Sequence, residues 1–140
     1  MNNSLITGGA GFIGSALAES LLKQGHNVCS FDNFNDFYDP DIKRRNVDRL
    51  SQYNGFTSIE GDIRDKESIH QIFTQHGFDV VIHLAAMAGV RPSIKNPALY
   101  YDVNINGTYN LLDACSKSNP KKVILASSSS VYGNNKKVPF

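Results

Sequence analysis

Residues 5–15, LITGGAGFIGS, decide how the rest of the chain is read. A short apolar, β-branched run breaks into glycine and restarts as a helical pattern. Gly9, Gly11 and Gly14 fit G-x-G-x-x-G, while Gly8, Gly11 and Gly14 fit G-x-x-G-x-x-G. Placed between a strand and a helix, early glycines permit a tight turn and let a diphosphate approach the backbone. Gly14 lets the helix pack closely on the strand. The helix start supplies free N–H groups and the positive end of its dipole.

Working outward, β-branched runs at 5–7, 28–31, 56–59, 80–84 and 123–126 alternate with helical patterns. Continuous apolar runs predict strands covered on both faces, as in a parallel sheet. Strand one is the least regular, because Asn2, Asn3 and Ser4 stand where apolar residues are expected. Helices are predicted over 12–24, closed by Gly25, and over 41–50. A third is capped by Asp65, with Ile69, Ile72 and Phe73 on one face and Gly77 at its end. A long fourth covers 97–118, weakened in its middle by Gly107. This order implies an α/β fold, a Rossmann-like doubly wound parallel sheet with right-handed crossovers and strand order 3-2-1-4-5.

Composition bounds the function. The 140 residues make one domain with a real core, 41% hydrophobic and 19% charged. A net charge of +1 gives no reason to expect nucleic acid. The longest apolar runs fall short of a membrane span, and MNNSLITGG lacks the order of a signal peptide. A cytoplasmic protein is expected. Cys29 and Cys115, far apart in apolar settings, are expected to be free buried thiols, and no metal site is expected.

Asp32 follows Gly8 by 24 residues and ends strand two. That is where a dinucleotide-binding fold carries an acid for the adenosine ribose hydroxyls. Its charge repels a 2′-phosphate and favours NAD over NADP. Lys43, Arg44 and Arg45 are expected on the solvated face of helix two; folded over the ribose they would complicate that preference. His83, inside an apolar strand, reads as a satisfied core histidine, and His26 as a turn residue. Arg91 has two readings, a partner for a substrate carboxylate or diphosphate and a surface ion pair.

The ordered motifs TGGAGFIGS, DN at 32–33, GDIRD at 61–65, HLAA at 83–86, NINGTYNLL at 104–112 and SSSSVYG at 127–133 span the chain. With them the sequence resembles the extended short-chain dehydrogenase/reductase family and, within it, the NAD-dependent sugar-nucleotide epimerases. DNFNDFYDP at 32–40 and AGVRPS at 88–93 look most like the UDP-glucuronate 4-epimerase branch. The resemblance implies a cofactor-binding set of Gly8, Gly11, Phe12, Ile13, Gly14, Asp32, Asn33, Asp62, Ile63, Leu84, Ala85, Ala86, Asn104 and Ala126. In it Asp62 accepts the adenine amino group and Ile63 packs on the ring. Leu84, Ala85 and Ala86 end strand four at the crevice edge. Asp62 as a turn acid and Leu84 as core packing are the plainer readings. Asn104, a poor helix former inside a helix, needs a partner from backbone or cofactor.

The resemblance places the active hydroxyl four residues before Tyr132, at Ser128. It would hydrogen-bond the sugar hydroxyl being oxidised. The family pairs this serine with Y-x-x-x-K, a tyrosinate whose lysine sits one helical turn later. One match exists, Tyr132–Lys136. It is rejected, because Gly133, Asn134 and Asn135 are turn formers. The expectation is therefore the front portion of a longer enzyme, or a truncated relative, inactive alone, with the later strands and the substrate domain missing. Its uncovered apolar faces would favour self-association into a homo-oligomer.

The implied reaction is reversible oxidation at C4 of a UDP-sugar, with hydride passing to NAD and returning to the other face. A 4,6-dehydratase is the alternative, but Ser129 and Ser130 stand where that branch carries acids. A dinucleotide-binding module without catalysis is the non-enzyme reading.

Overall fold

The computed structural model describes residues 2–139. Five parallel strands form one sheet in the order β3-β2-β1-β4-β5, as predicted. They are β1 (Asn3–Thr7), β2 (Asn27–Asp32), β3 (Phe56–Glu60), β4 (Val80–His83) and β5 (Lys122–Leu125). Helices α1 (Phe12–Lys23), α2 (Pro40–Leu50) and α3 (Lys66–His76) fill the first three crossovers.

Strand periodicity divides the core in two. Leu5, Cys29, Phe31 and Val81 point to one face, where they meet Ile69, Ile72 and Phe73 of α3. Their neighbours Ile6, Val28 and Ile82 point to the other, against Ala18 and Leu22 of α1 and Leu50 of α2. Both faces are covered, which explains the continuous apolar runs. The polar start of β1 is satisfied at the sheet's lower edge. Asn3 N–H donates to Asp79 Oδ2 at 2.9 Å, and Asn27 Nδ2 donates to Asn3 Oδ1 at 2.9 Å.

The caps follow the sequence. Asp65 accepts from the N–H groups of Glu67 and Ser68, and Gly77 closes α3 at φ 55°. Cys29 and Cys115 are free and buried, with their thiols pushed up by burial to about 12 and about 11.

The predicted fourth helix differs in detail. A separate short helix, α4 (Val90–Lys95), precedes it. The long rod itself is α5 (Pro97–Tyr101), a π-helical stretch at Asp102–Gly107, then α6 (Thr108–Ser118). Gly107 ends the wide turn with Ile63 against its flank: a Cβ there would lie 2.6 Å from Ile63 Cγ1. α6 returns Leu111, Ala114 and Cys115 to the core. Outer strand β5 leaves Ile124 and Leu125 half exposed. Beyond it, Ser129–Tyr132 form a 3-10 turn. The chain is in turn conformation at 133–134, with Gly133 at φ 58°, and not helical through Lys136, so Tyr132 and Lys136 do not share a helix face. No helix among the described residues is long and apolar enough to cross a membrane.

Candidate functional site

The sheet reverses its winding between β1 and β4, and ligands of open α/β sheets bind outside the carboxyl ends at that point. A cavity of about 330 Å³ opens there. Gly8, Gly11, Phe12, Ile13, Asp32, Asn33, Asp62, Ile63, Leu84, Ala85, Ala86 and Ala126 all line it. The two remaining cofactor candidates do not. Gly14 sits behind the loop, where a Cβ would lie 2.2 Å from the Gly8 carbonyl oxygen. Asn104 acts from below the crevice.

The glycine loop is built for close backbone approach. Gly8 has φ +70°, a region that favours glycine, and a Cβ on it would lie 2.8 Å from the Ala85 nitrogen. This draws the end of β1 against the chain leaving β4. Gly11 N–H donates to the Gly8 carbonyl at 3.1 Å, and α1 then starts at Phe12. The first-turn N–H groups have no partner within the helix, so the loop offers amides and a positive dipole end to an anion.

Asp32 is buried, and much of its acceptor capacity is already used. Oδ2 accepts from Ala10 N–H at 3.2 Å; Oδ1 accepts from Phe34 N–H at 2.9 Å and Lys43 Nζ at 3.4 Å. An ionised carboxylate has about four acceptor positions, so about one is left for a ribose hydroxyl, where the sequence reading allowed two. The position of Lys43 corrects that reading more sharply. Lys43 is not on the solvated face; it is 7% exposed and ion-paired with Asp32. Arg44 does lie outside, paired with Glu60 at 3.6 Å.

Asp62 is both a turn acid and a crevice residue. It accepts from Arg64 N–H, Nε and Nη2 at 2.9, 3.0 and 2.7 Å, and from Asn33 Nδ2 at 2.9 Å. The Arg64 side chain, above all, holds its carboxyl down to about 2. Arg64 had no place in the sequence reading, although its spacing from Asp62 suits an Asx turn.

A second polar network fixes the crevice floor. Leu84 N–H and Ala85 N–H both donate to Thr7 Oγ1 at 3.2 Å. That hydroxyl must then give its own hydrogen to His83 Nδ1, 2.6 Å away. His83 Nε2–H therefore donates to Thr108 Oγ1 at 2.9 Å, which donates to the Asn104 carbonyl at 2.7 Å. Burial drives the His83 pKa down to about 4, matching a neutral ring. The core-histidine reading holds. The Asn104 side chain is spent on one backbone: Oδ1 accepts from Met87 N–H at 2.8 Å and Nδ2 donates to the Met87 carbonyl at 3.0 Å. The π-helical turn places it there.

Phe37, Tyr38, Met87 and Leu99 also line the crevice. Sequence reasoning missed them because their approach depends on loop folding. Burial, and then the Asp32 charge, raises the Tyr38 pKa. Ser128 lies outside the lining, two residues past Ala126. It is exposed, donates to Ser130 Oγ at 3.1 Å and accepts from Ser130 N–H at 3.2 Å, so it caps the 3-10 turn.

The family model described as GDP-mannose 4,6 dehydratase matches residues 5–140. The chain belongs to this family of nucleotide-sugar epimerases and dehydratases, within the extended short-chain dehydrogenases/reductases. It is 47% identical over 137 residues to UDP-glucuronate 4-epimerase 4 of Arabidopsis thaliana, covering 97% of this chain and 31% of that protein. The UDP-glucose 4-epimerase of Stenotrophomonas maltophila, solved with bound NAD and formylated UDP-arabinopyranose, superposes with a TM-score of 0.86 at 34% identity. That match covers 100% of this chain and 41% of the other. The Bifidobacterium longum UDP-glucose 4-epimerase, in complex with NAD+ and UDP, gives 0.85 at 36% identity, covering 99% of this chain and 40% of the other. The chain thus spans about a third to two fifths of the length of these relatives.

Proposed function

We propose that this family member is the dinucleotide-binding part of an NAD-dependent UDP-sugar 4-epimerase, of the UDP-glucuronate branch. One observation carries the reading: the glycine loop, Asp32, the 62–63 pair and the 84–86 strand exit converge on one crevice at the switch point. The residues fit the cofactor. The first-turn amides of α1 hold a diphosphate, Asp32 takes one ribose hydroxyl, and Ile63 packs on adenine. Asp62 receives the adenine amino group if Asn33 gives up its hydrogen bond. Ala85, Ala86 and Ala126 leave room beside the backbone. NAD, when bound, supplies the acceptor for hydride from C4 of the sugar. Ser128 orients the sugar hydroxyl once its hydrogen bond to Ser130 is exchanged for substrate.

In this reading residues 1–140 form the dinucleotide-binding unit of a cytoplasmic, homo-oligomeric enzyme. Residues 1–140 then bind NAD without turnover, because Tyr132 and Lys136 share no helix face and cannot act as the tyrosine–lysine pair. The dehydratase reading draws on the family model's description. Ser129 and Ser130 weigh against it, since neither side chain serves as the acid for water loss.

Calorimetric titration with NAD, alongside an assay on UDP-glucuronate and UDP-glucose, tests the proposal. The expected result is NAD binding that Asp32→Ala weakens, and no turnover by 1–140. A protein that takes no NAD would refute the reading.

A further inference from the structure

Lys43 is a buried lysine at the rim of the crevice. It lies in α2, one turn past the Pro40 start, with its side chain turned toward the end of β2. Its ammonium reaches Asp32 Oδ1 at 3.4 Å and stands 5.2 Å from the centre of the Tyr38 ring. The same side chain lines the cavity. An ammonium carries three donors, and Asp32 is its one hydrogen-bond acceptor among the described residues. Desolvating a lysine for a single long ion pair is unfavourable unless its other donors find acceptors. The Phe12, Ile13, Phe31 and Phe37 side chains that share the lining offer no acceptor, and Asn33, Asn35 and Asp62, which also line it, already accept from other groups.

We propose that Lys43 is a specificity-determining residue of the crevice: its ammonium offsets the Asp32 charge and offers its free donors to the 2′ and 3′ positions of an adenosine ribose. The inference rests on the dinucleotide reading above. It changes the electrostatics expected from Asp32 alone. A lone carboxylate beside the ribose repels a 2′-phosphate; a carboxylate paired with a buried ammonium does so far less. Preference for NAD then depends on the Asp32–Lys43 pair as a unit. Remove the carboxylate and a buried cation is left beside the 2′ position, where it attracts phosphate. Arg44 and Arg45 cannot replace it, because both are exposed and Arg44 is engaged by Glu60.

The experiment titrates NAD and NADP calorimetrically into the wild type, Asp32→Asn, Asp32→Asn/Lys43→Met and Lys43→Met, with thermal unfolding to establish folding. Asp32→Asn should bind NADP about tenfold tighter than the wild type, the scale of one charge-assisted contact. The double variant should lose that gain. It removes both charges together, so no unpaired buried charge threatens its fold. Lys43→Met should raise the preference for NAD over NADP about tenfold by leaving Asp32 uncompensated. This ratio, taken on one protein, is insensitive to the folded fraction. Equal NADP affinity in Asp32→Asn and the double variant, or an unchanged ratio in Lys43→Met, overturns the role of Lys43. A wild type that binds neither nucleotide overturns the dinucleotide reading itself, and this inference with it.

Discussion

Replacing Gly14 with alanine should destabilise the protein, although alanine is the better helix former. Gly14 lies in the first turn of α1, and helix propensity alone favours alanine by about 1 kcal/mol. The added Cβ would lie 2.2 Å from the Gly8 carbonyl oxygen, 2.8 Å from Gly9 Cα and 3.0 Å from the Gly8 carbonyl carbon. All three are backbone atoms of the glycine loop. No rotamer change relieves them, and the helix or the loop must shift. Overpacking of this kind costs about 1–3 kcal/mol, and the backbone contacts put this case near the upper end. The net loss is about 2 kcal/mol, or a fall in Tm of about 6 °C for a chain of this size. NAD binding should weaken as well, because the atoms that must move carry the loop's amides. Gly107→Ala is the control. Its Cβ would meet Ile63 Cγ1 at 2.6 Å and Cδ1 at 2.7 Å, atoms of a buried side chain whose shift leaves the loop backbone in place. Its propensity gain and its clash should nearly cancel, within about 1 kcal/mol. Thermal and urea unfolding of the two variants read the difference. A Gly14→Ala protein as stable as the wild type, or a Gly107→Ala protein that falls equally far, would refute the packing argument.

Neutral His83 should make the fold acid-sensitive. Its pKa falls from the ordinary 6.5 to about 4 in the fold, so below pH 6.5 the unfolded chain takes a proton that the folded chain refuses. Stability should drop by up to about 3 kcal/mol between pH 6.5 and 4, and His83→Gln should flatten that part of the urea-unfolding profile. Asn104→Ala removes both hydrogen bonds to Met87 and should cost about 2 kcal/mol in denaturant unfolding while weakening NAD binding. Asn104→Asp should recover only the bond from Met87 N–H. Asp62→Asn should change stability by less than about 1 kcal/mol, since its ion pair with Arg64 is partly exposed. If Asp62 takes the adenine amino group, calorimetry will nonetheless show weaker NAD binding by this variant; unchanged affinity would leave Asp62 as a turn acid.

Local patterns were enough for the architecture. Strand runs, glycine punctuation and the caps at Asp65 and Gly77 depend on neighbours close in the chain, and the handedness of crossovers then leaves few topologies. The loop, Asp32 and the 84–86 segment could be assigned to one crevice because every strand of a parallel sheet delivers its carboxyl end to the same edge. What the sequence withheld were distances between side chains brought together from afar. Lys43 reads as one of three consecutive basic residues; only the packing of α2 beside β2 turns it inward and leaves Arg44 outside. Nothing near Asn104 in the chain reveals Met87 as its partner, because a π-helical turn sets its direction and Ile63, 44 positions from Gly107, fills the flank of that turn. His83 was legible as buried, but its tautomer follows from Thr7 and Thr108, on two other elements. Periodicity and turn chemistry are carried by the chain itself, whereas burial of charge and the sharing of hydrogen bonds exist only once the elements have packed.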